Sequence, residues 1–97
     1  MKARFHRLAR LELKSAVEYY NREEPGLGDI FGRIVREATS ELRAEPQRWP
    51  VFEGRIRRYF LKKFRYVLLY AESQGSILVV AVMHSSRKPG YWKDRVD

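Results

Sequence analysis

The sequence contains no cysteine and no long hydrophobic run. Without cysteine, neither a disulfide framework nor a cysteine-based zinc site can form, which is typical of the reducing cytosol. The longest apolar stretch, residues 77–83, is far shorter than the roughly 20 residues that cross a bilayer. The first residues are basic and lack the apolar core of a signal peptide. We therefore expect a cytoplasmic protein without a membrane partner, and nothing in the sequence requires a metal ion or another cofactor.

Acidic residues are scarce beside basic ones, with 12 against 20 and a net charge of +8. The excess lies late in the chain, because residues 54–97 hold ten bases and three acids, whereas residues 22–53 hold five bases and seven acids. A field of this kind attracts polyanions and acidic proteins. We therefore prefer an anionic partner over a basic surface that serves only solubility.

A chain of 97 residues is long enough for one modest core and too short for two. Hydrophobic residues make up 44% of it and aromatic residues 13%, which indicates a folded chain and excludes extensive disorder. We predict a single domain over residues 1–97.

The first half of the sequence has a helical pattern. Residues 2–6 alternate loosely, as in a short strand, and apolar residues then recur at helical spacing up to Tyr20. Pro25 and Gly26 indicate a turn, and a second amphipathic helix is predicted from about Leu27 to Ala44. Two such helices joined by a short turn form an antiparallel hairpin.

The second half is rich in strand-forming residues. Residues 55–61, 66–70 and 77–83 are predicted strands, with a hairpin turn at residues 73–76. The apolar stretch 77–83 has no alternation, as expected for a strand covered on both faces. The order β-α-α-β-β-β predicts an α+β fold in which the helical hairpin packs on a small antiparallel sheet.

Several short segments, taken in their order and spacing, carry a family resemblance. They are residues 16–20, 25–28, 49–50, 64–66, 81–84 and 87–92, the last two of which form the pattern H-x-x-R-x-P-x-Y-W. The chain resembles, over nearly its whole length, the RelE/ParE superfamily of toxins from type II toxin–antitoxin modules, and more narrowly its ParE-like, plasmid-stabilisation members. The resemblance implies a bacterial toxin of RelE/ParE-like fold that forms a hetero-oligomer with a cognate antitoxin.

The resemblance implies two different activities, since fold alone does not decide function. RelE-like toxins cleave mRNA on the ribosome, whereas ParE-like toxins poison DNA gyrase without known chemistry. Phe60, Val67 and Ser85 stand where the nuclease branch carries basic residues, although Arg58 could replace a further lysine of that branch, two residues before the position of Phe60. We therefore predict a gyrase inhibitor that is not an enzyme. A ribosome-dependent mRNA endonuclease and a non-toxic module that binds antitoxin or nucleic acid are the alternatives.

Three residues near the C-terminus are the catalytic candidates if the protein is a nuclease: His84, Arg87 and Tyr91. Histidine exchanges protons near neutral pH, arginine binds phosphate with two hydrogen bonds, and tyrosine donates a proton or stacks on a base. In the structural interpretation, His84 caps a strand, Arg87 pairs with a carboxylate, and Tyr91 and Trp92 pack the tail onto the sheet. For these residues the structural interpretation is preferred to catalysis.

A basic run with interleaved aromatic residues occupies residues 55–65 and contains no acid. The candidates for target or partner binding are Arg57, Arg58, Lys62, Lys63, Arg65 and, further along, Trp92. Strand alternation places Arg57 and Arg58 on opposite faces. Partner binding and protection of an edge strand by charge are both open interpretations, and RNA binding ranks below them. A groove on the helical hairpin is expected as a further antitoxin contact.

Overall fold

The computed structural model describes residues 1–96. Its elements are β1 (Lys2–Phe5), α1 (Arg7–Glu23), α2 (Leu27–Ala44), β2 (Val51–Glu53), β3 (Ile56–Phe60), β4 (Tyr66–Ser73), β5 (Ser76–His84) and a final 3₁₀ turn (Lys93–Arg95). The two helices pack on one five-stranded sheet, so the predicted α+β fold is confirmed. In the described part of the chain, neither helix combines the length and the apolar character needed to cross a membrane.

The helical hairpin depends on local caps and on one close approach. The Leu8 N–H donates to His6 Nδ1 at 3.0 Å, so this histidine caps the start of α1. At the start of α2, the Gly28 N–H donates to Asn21 Oδ1 at 2.7 Å. A Cβ atom on Gly28 would collide with the Val17 carbonyl oxygen, so glycine lets the helices approach here. The predicted bounds of α2 are confirmed.

The sheet has the strand order β1-β5-β4-β3-β2. Two features differ from the predicted antiparallel sheet: β1 pairs in parallel with β5, from Lys2 opposite Ser76 to Phe5 opposite Val79, and β2 is an additional edge strand. Side-chain periodicity carries no information on strand direction, which explains the first difference. β2 has three residues between Pro50 and Gly54, too few for a periodic signal, which explains the second.

Both faces of the sheet are covered. One face packs against the helices, and the other packs beneath the C-terminal tail, where Trp92 is 3% exposed. β5 is therefore buried on both sides, as its unbroken apolar sequence predicts. A register shift opposite Leu69 and Tyr70 puts Val80 and Ala81 into the same tail-side cluster. This irregularity lies beside the place where β1 ends.

Candidate functional site

A groove of about 590 Å³ lies between α1, the C-terminal half of β5 and the tail. The groove exists because β1 is short. The His6 N–H donates to the Val79 carbonyl oxygen at 2.9 Å as the chain enters α1, and no strand covers this side of β5 beyond that point in residues 1–96. Along the rest of this edge of β5, side chains from α1 and the tail lie where a longer β1 would have paired.

The carboxylate of Glu12 is the centre of the contacts along this open edge. Its Oε1 accepts from the Val82 N–H and from Arg95 Nη1, both at 3.0 Å. Its Oε2 accepts from the Tyr91 hydroxyl at 2.7 Å and from Arg95 Nη2 at 2.8 Å. Arg95 Nη1 also donates to the Val80 carbonyl oxygen at 3.1 Å. We call Glu12, Tyr91 and Arg95 the Glu12 cluster. It supplies hydrogen-bond partners to backbone groups at the open edge of β5, and it connects the tail to α1.

The contacts within the Glu12 cluster determine the protonation state of each of its residues. Burial raises the pKa of Glu12, but hydrogen bonds from Arg95, Tyr91 and the Val82 N–H outweigh it, so the pKa lies below its ordinary value. The hydrogen bond between Glu12 and Arg95 also raises the pKa of Arg95. Burial and the bond to Glu12 both raise the pKa of Tyr91. Glutamate and arginine are therefore an ion pair, and the tyrosine keeps its proton.

Arg87 stacks on the ring of Tyr91 from the groove side. Its Cζ atom lies 3.9 Å from the ring centroid, and the Cζ atom of Arg95 lies 5.0 Å from it. Arg87 is exposed and lines the groove. Within residues 1–96 it forms no ion pair, so the interpretation that it pairs with a carboxylate is wrong; Arg95 occupies that role.

His84 is held by the turn that follows β5. Its Nδ1 accepts from the Ser86 N–H at 3.1 Å and lies 2.7 Å from Ser86 Oγ. Because Nδ1 is an acceptor, the neutral ring carries its proton on Nε2. The ring meets Tyr66 edge-on, with centroids 5.1 Å apart. These contacts agree with the structural interpretation of His84 as a residue that closes the strand.

The predicted trio is only partly assembled into one site. His84 and Arg87 both line the groove, together with Tyr66. Tyr91 contacts Arg87 through its ring, but its hydroxyl is bonded to Glu12. A phenol so held, with its pKa raised, is a poor proton donor at neutral pH. The geometry suits binding of an anionic group at Arg87 better than acid–base chemistry.

The basic run divides between the two faces of the sheet, as alternation predicts. Arg57 Nη1 donates to the Trp49 carbonyl oxygen at 2.6 Å. The Arg58 guanidinium lies 4.7 Å from the ring of Phe52 and 5.3 Å from that of Phe60. β3 is not an edge strand over its first half, since β2 pairs with it. The edge-protection interpretation is wrong there, because the short β2 was not predicted.

The remaining candidates differ in exposure. Lys62, Lys63 and Arg65 are exposed in the loop between β3 and β4. Trp92 is buried, with its ring 5.9 Å from that of Phe52. The structural interpretation that Trp92 packs the tail onto the sheet is therefore confirmed, and its burial leaves little of the side chain for a partner.

Sequence reasoning missed Glu12 and Arg95. They are 83 positions apart, so no local spacing connects them. Glu12 is one of several acids on an amphipathic helix, and Arg95 is one of several bases in the tail. Neither differs from its neighbours in any pattern, and only the fold brings them together.

Comparison with known proteins agrees with the fold and the motifs. Among curated proteins, none matches the chain significantly. A chain in the solved structure described as "Chromosomal ParDE TA system from P. aeruginosa" is 14% identical, with a TM-score of 0.77 over 87% of this chain and 95% of that chain. At this low sequence identity, the similarity shows a shared fold and nothing more. The family model for the ParE toxin of the type II toxin-antitoxin system parDE matches residues 3–89, from β1 to the loop after β5. The predicted family is thus confirmed, and the chain belongs to the ParE toxin family of type II toxin–antitoxin systems.

Proposed function

We propose that this ParE-family chain inhibits DNA gyrase by binding to it and that a cognate antitoxin neutralises it in the cytoplasm. The observation that supports binding over cleavage is the state of Tyr91. Its hydroxyl donates to a carboxylate that already forms an ion pair with Arg95. The residue that would supply an acid to a leaving group is thus engaged in holding the tail.

Two further positions support the same proposal. Val67, where the resemblance to nuclease toxins would require a base, is buried in the tail-side core. Phe60, at another such position, is 64% exposed and apolar. Positive groups that stabilise a developing phosphorane are therefore missing from these two places.

The groove beside α1 is the proposed antitoxin contact. Leu11 and Tyr19 are 48% and 50% exposed and lie eight residues apart on one helix, a spacing that keeps them on the same face. Arg22 and Arg87 line the same groove. Apolar anchors beside cations suit an amphipathic, acidic segment of the antitoxin, which completes a toxin–antitoxin hetero-oligomer.

The activity is tested with the purified toxin in two assays run side by side. We expect loss of negative supercoiling by purified gyrase, while mRNA in a translating extract stays intact. Cleavage of mRNA within translating ribosomes, with supercoiling unaffected, contradicts the proposal and supports the endonuclease. A folded protein inactive in both assays supports the non-toxic binding module.

The antitoxin contact is tested by polar substitutions in the groove. Leu11→Ser and Tyr19→Ser should weaken capture by the co-expressed antitoxin at least tenfold, on the order expected for buried apolar anchors. Ile30→Ser is the matched control, because Ile30 is an exposed apolar residue on the other helix and lies outside the groove. Equal losses for all three variants would place the antitoxin elsewhere.

A further inference from the structure

Two basic loops meet at one end of the molecule. Residues 61–65 connect β3 to β4, and residues 85–89 follow β5. The Ser85 N–H donates to the Arg65 carbonyl oxygen at 2.8 Å, which fixes the loops side by side. The cationic end comprises their five basic residues: Lys62, Lys63, Arg65, Arg87 and Lys88. Neither loop contains an acidic residue.

In residues 1–96 the charges of the cationic end form no ion pair, although Lys62 and Lys63 line a pocket beside α2 that also includes Glu37 and Glu41. The ion pairs of this part of the chain use Arg48, Lys93 and Arg95 instead. All five side chains of the cationic end are exposed. Loops that carry charge of one sign attract polyanions.

The charges are presented on a defined scaffold. Arg87 is stacked on Tyr91, and Tyr91 is fixed by its bond to Glu12. On the other loop, Lys63 adopts a left-handed backbone with φ 73°, and Phe64 anchors the loop against Tyr20, with ring centroids 4.9 Å apart. The cationic end therefore has a fixed outline, unlike a basic tail that moves freely.

Apart from Arg87, which also lines the groove proposed for the antitoxin, the cationic end suits phosphates better than a protein. Protein interfaces are organised around buried apolar anchors, whereas nucleic-acid interfaces are more polar and more positive. None of the exposed large apolar side chains in residues 1–96 belongs to either loop; Phe60, which directly precedes the first loop, is the last residue of β3, and its ring lies beside the Arg58 guanidinium. Single-stranded RNA is recognised largely by stacking on exposed aromatic rings, which the two loops also lack, since Phe64 packs inward.

We propose that the cationic end binds the sugar-phosphate backbone of duplex DNA. The inference rests on the proposed function in one respect: gyrase is the enzyme that presents this DNA to the toxin. Arginine forks and lysine ammonium groups bind phosphate oxygens without reading sequence. Contact with the DNA as well as with gyrase adds a second attachment point to the complex.

The test compares two variants that lose the same charge. The first is the triple variant Lys62→Gln, Arg65→Gln and Arg87→Gln. The control is Arg7→Gln, Arg10→Gln and Lys14→Gln, three exposed bases in the first half of α1. The control bases lie towards the opposite end of α1, because Tyr20 packs on Phe64 whereas His6 is bonded to Val79. Circular dichroism and thermal melting verify that both variants fold.

Binding is measured by fluorescence anisotropy with a labelled DNA duplex, without gyrase, over a range of salt concentrations. Each lost phosphate contact should reduce the slope of log K against log salt by about 0.9, so the loop variant should lose roughly 2 to 3 units of slope. We expect its affinity at low salt to fall more than tenfold below that of the control. Equal losses in both variants, tighter binding of single-stranded RNA, or tighter binding of poly-glutamate would each overturn the inference.

The supercoiling assay separates this inference from the proposed function. If the wild-type protein inhibits gyrase but the loop variant binds DNA as well as the control does, the DNA contact is wrong and gyrase inhibition stands. If the wild-type protein leaves gyrase unaffected but the loop variant alone loses duplex binding, the DNA surface stands and gyrase inhibition is wrong.

Discussion

Arg95 and Arg87 flank the same tyrosine ring and have opposite environments. The Arg95 side chain is 8% exposed and forms a bidentate pair with Glu12, whose side chain is 16% exposed. Arg87 lies 3.9 Å from the ring on the exposed side and forms no ion pair in residues 1–96. Arg95 therefore stabilises the folded structure, whereas Arg87 is exposed and can contact a partner. The comparison shows that residue type alone does not decide between these roles.

The energetic consequence of the two environments differs as well. A buried ion pair is often no more stabilising than apolar residues of the same shape, but removal of one partner leaves a buried charge uncompensated. Neutralising an exposed cation changes the stability of the protein little. Substitutions at the Glu12 cluster should therefore affect folding first, and substitutions at the cationic end should affect binding first.

The largest effect is expected for Glu12→Ala. The change leaves Arg95 buried without its counter-charge and the Tyr91 hydroxyl and the Val82 N–H without their acceptor. We expect a loss of about 3–5 kcal/mol in the free energy of unfolding, measured by urea denaturation. Glu18→Ala is the control, because Glu18 is an exposed acid on the same helix, and its effect should stay within about 0.5 kcal/mol. Similar losses for both variants would contradict the comparison.

Lowering the pH should gradually remove the stabilisation that the ionised Glu12 carboxylate provides. The folded pKa of Glu12 lies below its ordinary value of 4.5, so the stabilisation is present above the unfolded pKa and is lost as pH falls through the folded pKa. We expect the stability difference between the wild type and Glu12→Gln to be constant near neutral pH and to shrink below about pH 4.5. Urea denaturation at several pH values measures it. A difference that does not change with pH would show that Glu12 is not the charged centre of the cluster.

Much of the fold follows from the sequence, because periodicity and turn residues act locally. Helical spacing and the Pro25-Gly26 turn predict both helices, and the unbroken apolar sequence of β5 predicts its burial on both faces. Two features do not follow. The parallel direction of β1 depends on where the chain returns after α2, and β2 is too short to show alternation.

Less of the candidate site follows from the sequence, because its contacts are long-range. The sequence does predict His84 and Arg87, because they come at the end of an apolar strand and directly after it, where side chains lie at the end of the sheet. For Trp92 the sequence leaves two interpretations open, partner binding and packing of the tail onto the sheet, because a single aromatic residue in a basic tail has no period that indicates burial; the structure shows the packing. The sequence does not predict the role of Glu12, because its partners come from β5 and the tail, and the helical spacing of α1 carries no information about them.

A smaller effect is expected for Tyr91→Phe. The ring that supports Arg87 remains, while Glu12 loses one of its hydrogen bonds and keeps those from Arg95 and Val82. We expect about 1.5 kcal/mol of lost stability, the lower end of the range for a hydrogen bond to a charged group. Gyrase inhibition and toxicity should persist, with Tyr19→Phe as a control at an exposed tyrosine. Complete loss of toxicity in a folded Tyr91→Phe protein would favour a proton-donating tyrosine and hence the endonuclease.

The smallest change in stability is expected for Arg87→Gln, and this variant sharpens the comparison most. Only its stacking on Tyr91 is lost, worth about 0.5–1 kcal/mol at an exposed site. Arg95→Gln is the matched variant across the ring and should cost about 3–5 kcal/mol, because it leaves Glu12 unpaired. Gyrase inhibition and the salt slope of duplex binding should fall for Arg87→Gln, although this variant loses little stability. If both variants lose the same stability, or if Arg87→Gln retains full activity, the division between a structural and a binding arginine is wrong.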